Sequence, residues 1–494
     1  NSDFEDKYFQ VITVPTTNTF TITQTSNASG TVSTGGSLSI KVFERVGPAE
    51  QTYGYGWGLE SWSTGNWGEA ASASNVTLEP GLWSLDNFGE VLIATIANGK
   101  TFTWNAGAAS AFANRASTTT TNFATGANPT STRLTLISPT TRHLIHMGTE
   151  TTIGNSATRD NMFIRFSDAE DINSYGTSSV NTAGSQRLQD GTKIIGALKA
   201  KETILIWTDN ALYTMKFVGA PFTFGFEQVG TNCGLIGKNA AVEIDGIAYW
   251  MSPNGFFLFD GTVKTLACSV EDHVYENINV TKGQQVAAGL NNLFTEVVWY
   301  YPASSSEFNN KSVTYNFGET ALTQAPIWYT GTEARTTWID ASVYPTPTAT
   351  KFVSGGTGAF PAIVGQTGLG QTTLFEHEVG TDQANADGST TTVPSFIQSF
   401  DFDIKTGETD GEFFLSMKRF IPDFKTLQGN AKLTMSVKRF PAQSSSSTAL
   451  SPFTITSNSL KFDTRARGRY ANIKIENDAS SESWRFGTIN LDLR

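Results

Sequence analysis

Histidine, cysteine and charge are all scarce in this chain. Among 494 residues there are four His and two Cys, and charged side chains make up 16%, against roughly 25% in an average soluble protein. Histidine supplies most general bases and many metal ligands, so four copies leave little for acid–base or metal chemistry. The two cysteines, Cys233 and Cys268, can build neither a disulfide framework nor a zinc site on their own. Each lies in an apolar run, Thr231-Asn232-Cys233-Gly234-Leu235-Ile236 and Leu266-Ala267-Cys268-Ser269-Val270. That placement predicts buried free thiols, with a single bridge between them as the alternative. No stretch of about 18 uninterrupted apolar residues occurs, which excludes a membrane-spanning helix. Helical periodicity is nearly absent; the two short candidates are Val270 to Asn277 and Glu333 to Ile339. Asn1 to Asp6 is polar and acidic, lacks a signal peptide's basic and apolar regions, and has no initiator Met. The expectation is a chain that is part of a longer or processed polypeptide. The net charge of −11, with no large Lys/Arg cluster to offset it, argues against wrapping nucleic acid.

What fills the gap is Thr, Ser, Asn and 45 Gly, together with 34 Phe and 11 Trp. This is the composition of strands joined by tight turns. So much aromatic surface must be buried, which excludes a disordered chain, and the length accommodates about three domains. Hairpin signals recur. Val91 to Ala94 and Thr101 to Trp104 flank Asn98-Gly99, and Asn-Gly between alternating apolar residues is the strongest short hairpin signal. The same grammar returns at Ile204 to Trp207, Asp209-Asn210, Leu212-Tyr213, and at Ala248 to Met251, Asn254-Gly255, Phe256 to Phe259.

Phe163, Trp207, Trp250, Trp299 and Trp338, read as inner-strand aromatics, are separated by 44, 43, 49 and 39 residues. A period of about 40–50 residues with several short strands per unit is what a β-propeller blade gives. Leu92 to Trp104 and Leu144 to Met147 read as earlier blades and Thr373 to Glu376 as a last one. The fold class expected is therefore all-β: a six- to seven-bladed propeller-like domain with flanking antiparallel β-sandwich domains. A large sandwich with irregular hairpins is the alternative. The expected organisation is an N-terminal β segment at 1–53, a Trp/Gly-rich connector at 54–81, the propeller-like domain at 82–393 and a C-terminal antiparallel β domain at 394–494. The last should pack as a sandwich or pair with the N-terminal segment.

Tested for chemistry, these residues give little. His143 and His146 are three apart on a predicted strand and so point to opposite faces, which disfavours a shared metal ion. Alternation also splits Glu376-His377-Glu378, expected as a solvated turn, and His273 stands alone. Paired carboxylates for glycoside hydrolysis could come from Asp168, Glu170 and Asp171, or from Asp401 and Asp403. Turn capping accounts for them, and the repeated Ser-x-Asp-x-Gly-x-Thr-Trp turn of sialidase-type propellers has no clear copy. No Gly-x-Ser-x-Gly, phosphate-binding Gly loop or Cys/His nucleophile signature occurs. The expectation is a protein that is not an enzyme, with no catalytic, cofactor-binding or metal residues and no cofactor. The stretch Tyr53 to Gly68, with Trp57, Trp62 and Trp67 among glycines, reads as a packed inter-subunit loop or a sugar-stacking platform. Arg465, Arg467 and Arg469 fall on one strand face and are expected to pair with carboxylates within or between subunits.

Several strings, taken in order, resemble one family. They are Gly54-Tyr55-Gly56-Trp57-Gly58 with Trp62 and Trp67, Leu82 to Glu90, Ile164-Arg165-Phe166-Ser167-Asp168, and Asn181-Thr182-Ala183-Gly184. Cys233-Gly234-Leu235-Ile236 through Trp250-Met251 to Phe259-Asp260-Gly261 follows, then Glu296 to Tyr301, then Arg469-Tyr470 through Ser483 to Gly487. Together they resemble the tail hub or nozzle (tail tubular) proteins of short-tailed, podovirus-like bacteriophages, and the resemblance spans most of the chain. It implies a homo-hexameric virion ring below the adaptor ring, with β-propellers projecting outward. It further implies a channel for genome ejection, a platform for fibres and a needle or plug protein, and assembly in the host cytoplasm. Viral DNA would pass without sequence-specific binding, and an acidic wall suits that passage because it repels phosphate. The alternative is a receptor-binding or polysaccharide-degrading tail protein using the propeller face; a bacterial surface adhesin is a third.

Overall fold

The computed structural model describes residues 11–16, 19–22, 50–52, 78–107, 117–118, 128–201, 203–340, 342–353, 371–384, 390–404, 413–440, 448–450, 452–477 and 479–494. Tyr53 to Gly68, Leu38 to Phe43 and Ser444 to Ser447 lie outside the described residues. The chain divides into two compact units. One takes in the described residues from 50 to 353 and 371 to 377, the other those from 11 to 22 and from 378 to the end.

The first unit is a run of antiparallel sheets, each a plain up-and-down meander in sequence order. Six of three or four strands occur among the described residues, beside a two-stranded pairing of Glu50–Thr52 with Leu78–Pro80. Blade 1 runs from Trp83–Phe88 to Ser117–Thr118, blade 2 from Thr132–Ile137 to Gly184–Arg187, and blade 3 from Ile194–Lys199 to Thr223–Thr231. Blade 4 runs from Ala241–Ile244 to Val263–Thr265, blade 5 from Ala287–Asn291 to Ile327–Gly331, and blade 6 pairs Thr337–Ile339, Thr348–Val353 and Gln371–Glu376. The first strands of successive blades lie beside one another, which makes them the inner ring of a propeller. The strand containing Thr373 to Glu376, expected to be a separate last blade, instead completes blade 6 against Thr348–Val353.

All three hairpins read from the sequence form. Val91–Ile96 and Thr101–Asn105 pair, with Asn98 at φ 60° in the turn, a left-handed conformation that Asn tolerates. The aromatic register differs from the expectation. Trp207, Trp250 and Trp299 sit on the second strands of blades 3, 4 and 5, where their cross-strand partners on the first strands are Gly196, Ala241 and Ala288. Phe163 opens the third strand of blade 2, and Trp338 lies on the first strand of blade 6. At these three positions the first-strand partner is Gly or Ala, and the indole stands one strand further out. These three Trp are fully buried, each contributing roughly 5 kcal/mol of apolar burial as an upper bound.

Two short helices, α1 (Glu271–Asn277) and α2 (Phe317–Thr323), follow blades 4 and interrupt blade 5. The first was expected. The second candidate, Glu333 to Ile339, is not helical: Thr337–Ile339 is a strand, in keeping with the β preference of its Thr and Ile. Helix α2 carries its own signature, since Asn316 Oδ1 accepts from the Glu319 backbone N–H at 2.7 Å, an N-cap followed by Glu three residues on.

The second unit holds an antiparallel sandwich. One sheet orders Phe396–Gln398, Tyr470–Asn477, Ala431–Lys438 and Thr448–Ala449; the other orders Phe462–Gly468, Leu415–Ile421 and Asn490–Leu493. Alternation sets the inner face. Leu433 and Met435 on one strand, Ile473 and Ile475 on the next, and Leu415, Met417 and Phe420 from the other sheet form one core.

Candidate functional site

The first strands of blades 3 to 6 surround a cavity of about 350 Å³, within the ~300–1,000 Å³ range of small-molecule pockets. It exists because Ala197, Ala241, Ala287 and Ala288 place only methyl groups there, while Trp207 and Trp338 wall it. Its polar lining includes Lys238, Asn239 and Thr337.

Lys238 sits on the link between blades 3 and 4. Its Nζ donates to the Trp83 carbonyl at 2.6 Å and to Ser84 Oγ at 2.7 Å, tying blade 1 to the start of blade 4. Both partners are neutral. Burial, with Arg133 adding repulsion, pulls its pKa down to about 7. Nearby, Asp86 joins blades 1, 2 and 3, accepting from the Ile137 backbone N–H at 2.7 Å and from Lys199 Nζ at 2.7 Å.

Among the described residues, four indoles of this unit donate to backbone carbonyls. Trp250 Nε1 donates to the Cys233 carbonyl, Trp299 to Ala240, Trp328 to Ala267 and Trp338 to Leu290, all at 2.7–3.0 Å. Trp207 Nε1 is buried without an acceptor, and Trp207 forms part of the cavity wall. A buried donor left unpaired costs about 1–3 kcal/mol. Sequence reasoning singled out the Trp residues and passed over Lys238. Two of the residues that line the cavity, Ala241 and Ala288, stand opposite Trp250 and Trp299 on the first strands.

The histidines are dispersed. His143 and His146 are both buried and have separate partners: His143 bonds Thr141 Oγ1 at 2.6 Å and Thr182 Oγ1 at 3.0 Å, His146 bonds Tyr175 Oη at 2.9 Å. Thr182 Oγ1 donates to Asp168 at 2.5 Å and accepts the Ala169 N–H. This row of His143, Thr182 and Asp168 looks like a nucleophile relay, but the hydroxyl proton is already on the carboxylate side, so the imidazole does not activate the oxygen. Burial opposes ionisation of Asp168, yet the Thr182 and Ala169 hydrogen bonds outweigh it and hold its pKa below the usual range. Burial, opposed by the charge of Asp168, lowers the pKa of His143. Burial, reinforced by Arg165, drives His146 down to about 3.

His377 departs from its expected place in a solvated turn. Its Nε2 accepts from Arg335 Nε at 2.7 Å and its ring packs 4.6 Å from that of Trp338; burial and the Arg335 charge lower its pKa to about 4. The flanking Glu376 and Glu378 are exposed, and so is His273 on α1. Among the carboxylates, Asp171 caps a turn through the Asn173 N–H, Glu170 pairs with Arg142 at 3.3 Å, and Asp401 pairs with Lys438 at 2.5 Å. Among the described residues no cluster of three or more His, Cys, Asp or Glu could hold a metal ion. Cys233 and Cys268 are free thiols, with burial pushing both up to about 11. Arg467 and Arg469 place their guanidinium groups over the Phe414 ring at 5.4 and 4.9 Å. An exposed ring at the strand's flank offers a cation a face as well as an edge partner. No helix among the described residues is long and apolar enough to cross a membrane.

No family model matches the chain, and no curated protein matches it. Solved structures with partial likeness include BamB from Moraxella catarrhalis, at 15% identity over 56% of this chain and 83% of that one, TM-score 0.27. A lignostilbene dioxygenase from Pseudomonas brassicacearum is similar at 10% identity over 57% and 68%, TM-score 0.30. An ancestral GH74 enzyme is similar at 8% identity over 56% of this chain and 47% of its own length, TM-score 0.27. These TM-scores lie well below 0.5, so the assignment of an all-β, propeller-like fold rests on the sheet topology and not on the likenesses.

Proposed function

We propose that this chain is a structural virion protein, the tail hub or nozzle ring of a short-tailed bacteriophage. The reading is carried by one observation: a propeller-like unit and an antiparallel sandwich unit share one acidic chain, in the order of strings by which the sequence resembles that family. In the proposed assembly, copies form a hexameric ring on the adaptor ring, the virion tail is the site of action, and DNA passes through an axial channel without being held. Fibres and a needle or plug attach to its outer face. The polar groups support a structural role, since buried His143, half-buried Asp168 and Asp86 and exposed Asp171 each spend hydrogen bonds on joining strands and turns.

The second reading, a receptor-binding or polysaccharide-degrading tail protein, is favoured by the cavity among the inner strands. Native mass measurement with negative-stain images separates them. A closed ring of about six copies with an axial hole is expected for the hub, closed cyclic symmetry being the outcome of a head-to-tail interface. A monomer or trimer that binds or cleaves surface polysaccharide would overturn the hub reading and establish the alternative.

A further inference from the structure

We propose that the outward face of the three-stranded sheet in the second unit docks on helix α1 of a second copy of this chain, with arginines meeting carboxylates head to tail. The inference rests on the ring reading above and deepens it by naming the two surfaces that join. It starts from a charge imbalance. Strands Phe462–Gly468 and Leu415–Ile421 turn Ala466, Leu415 and Met417 into the core, so alternation leaves Arg465, Arg467 and Lys418 exposed on the other side. The two carboxylates of this face are already taken: Asp463 by Arg419 at 2.7 Å and Lys461 at 3.3 Å, and Asp492 by Arg494 at 3.9 Å. Arg465, Arg467 and Lys418 meet no carboxylate among the described residues. The contact of Arg467 with the Phe414 ring consumes none of its five N–H donors.

Solvation alone does not account for this face. The opposite sheet of the same sandwich is solvated with its signs interleaved: Lys432 pairs with Glu476 at 3.4 Å, Lys474 with the same Glu476, and Lys438 with Asp401 at 2.5 Å. Like charges on neighbouring strands are destabilising, and an anionic partner relieves them. Helix α1 carries the converse imbalance. Its seven residues include Glu271, Asp272 and Glu276 and no Lys or Arg. Buried Val274 and the bond from Tyr275 Oη to the Ser252 carbonyl at 2.6 Å fix its inner side, which leaves Asp272 and Glu276 exposed. They stand four apart, a repulsive spacing, and Glu276 lies in the last turn, where the helix dipole disfavours a carboxylate. Neither forms an ion pair among the described residues. Guanidinium and carboxylate match in planar, two-bond geometry. A polynucleotide, by contrast, is anionic along its whole length and is repelled by the remainder of a chain of net charge −11. Each copy carries both surfaces, and a contact between unlike patches repeats into a closed ring or an open filament.

The test is sedimentation velocity on the full chain and on two variants, Arg465→Glu/Arg467→Glu and Asp272→Lys/Glu276→Lys, with circular dichroism to confirm each fold. Each variant alone should self-associate at least tenfold more weakly than the parent. An equimolar mixture should co-assemble with the parent's affinity, because each reversed patch finds its complement on the other variant. Loss in the single variants without recovery in the mixture would overturn the proposal, as would variants that associate like the parent or a parent that stays monomeric. Should a variant fail to fold, the parent decides alone: its association should weaken at least tenfold between about 0.1 M and about 1 M salt, where the Debye length falls from ~10 to ~3 Å, and salt-independent association would refute the contact. A labelled single-stranded oligonucleotide that binds the parent and not Arg465→Glu/Arg467→Glu, with self-association equal in both, would assign the face to nucleic acid and overturn the proposal. The ring reading is tested separately: a closed ring that persists in both variants sinks this contact and leaves the ring standing, whereas salt-sensitive open filaments support the contact and sink the ring.

Discussion

Replacing Trp250, Trp299 and Trp207 one at a time by Phe should give two large losses of stability and one small one. All three indoles are fully buried on equivalent second strands and face a small residue on the neighbouring first strand, so the change in shape is the same in each case. Trimming indole to phenyl removes on the order of 40 Å² of buried apolar area, worth about 1 kcal/mol. It leaves a void of roughly 40 Å³, worth about 1 kcal/mol more. At Trp250 and Trp299 the substitution also strands the carbonyls of Cys233 and Ala240, which now accept at 2.8 and 3.0 Å, adding ~1–3 kcal/mol each. Both variants should therefore lose about 3–5 kcal/mol. At Trp207 the sign of the polar contribution reverses, because the change removes a buried donor that has no acceptor; the net cost should be within about 1 kcal/mol of the void and area terms cancelled by that relief. The assay is chemical denaturation followed by far-UV circular dichroism, comparing midpoints at unchanged slope. A loss at Trp207 equal to that at Trp250 would mean its N–H is satisfied in the fold, and the orphan-donor argument would fail.

Acid should destabilise the propeller through His146. Its native pKa, about 3, lies below the unfolded value of about 6.5, so the unfolded chain takes the proton first; stability is complete above pH 6.5 and falls as pH drops toward 3, by about 1.4 kcal/mol per unit. His146→Gln should flatten the dependence of the denaturation midpoint between pH 6 and 4, and an unchanged slope would contradict the assignment. Thiol titration should find Cys233 unreactive in the native protein and two equivalents after denaturation, as its full burial and raised pKa require; fewer than two would mean a disulfide. Gly234→Ala should cost more than about 2 kcal/mol or abolish folding, because a Cβ there would stand 2.2 Å from the Asp209 carbonyl oxygen, a backbone atom that cannot swing away; a thermal midpoint within a degree or two of the parent would refute it.

Much of the β architecture was legible because turns are local. Asn98-Gly99, Asp209-Asn210 and Asn254-Gly255 each mark a hairpin through backbone preferences that neighbours in space do not override. Strand order within a blade followed from the same signals, since each sheet is a meander. The radial position of the tryptophans was not legible. Alternation tells which face of a strand is buried, and in a propeller both faces of the inner strands are covered, so an aromatic on the second strand and one on the first leave the same pattern. Glu333 to Ile339 misled for a related reason: its helix-tolerant start, Glu-Ala-Arg, is overridden by pairing of Thr337–Ile339 with Thr348–Val353. A short strand such as Phe424–Gln428 escaped notice because five residues carry too little alternation. The cavity lay out of reach, since it is defined by what four separate first strands omit, and an omission has no motif. The free state of Cys233 and Cys268, in contrast, followed from their apolar surroundings alone.

The meander order of the blades also sets a timetable. Every strand of blade 4, from Ala241 to Thr265, pairs only with its neighbours in sequence, so the sheet is complete as soon as that short length has left the ribosome. Synthesis at about 5–20 residues per second delivers a blade every few seconds, whereas a hairpin closes in about 1–10 μs. Each sheet therefore forms and waits. While it waits, the face that will meet the next blade is bare, and in blade 4 that face includes Phe256, later covered by Trp299 and Trp328 of blade 5, whose rings stand 5.1 and 4.8 Å from its own. The outermost strands are poor partners for a stray chain: Gly184–Arg187 is largely exposed and polar, and Val263–Thr265 is three residues with Lys264 at its centre. The hazard during synthesis is thus the apolar flank between consecutive blades, and a pause in translation just after a blade is where aggregation of the nascent chain should concentrate.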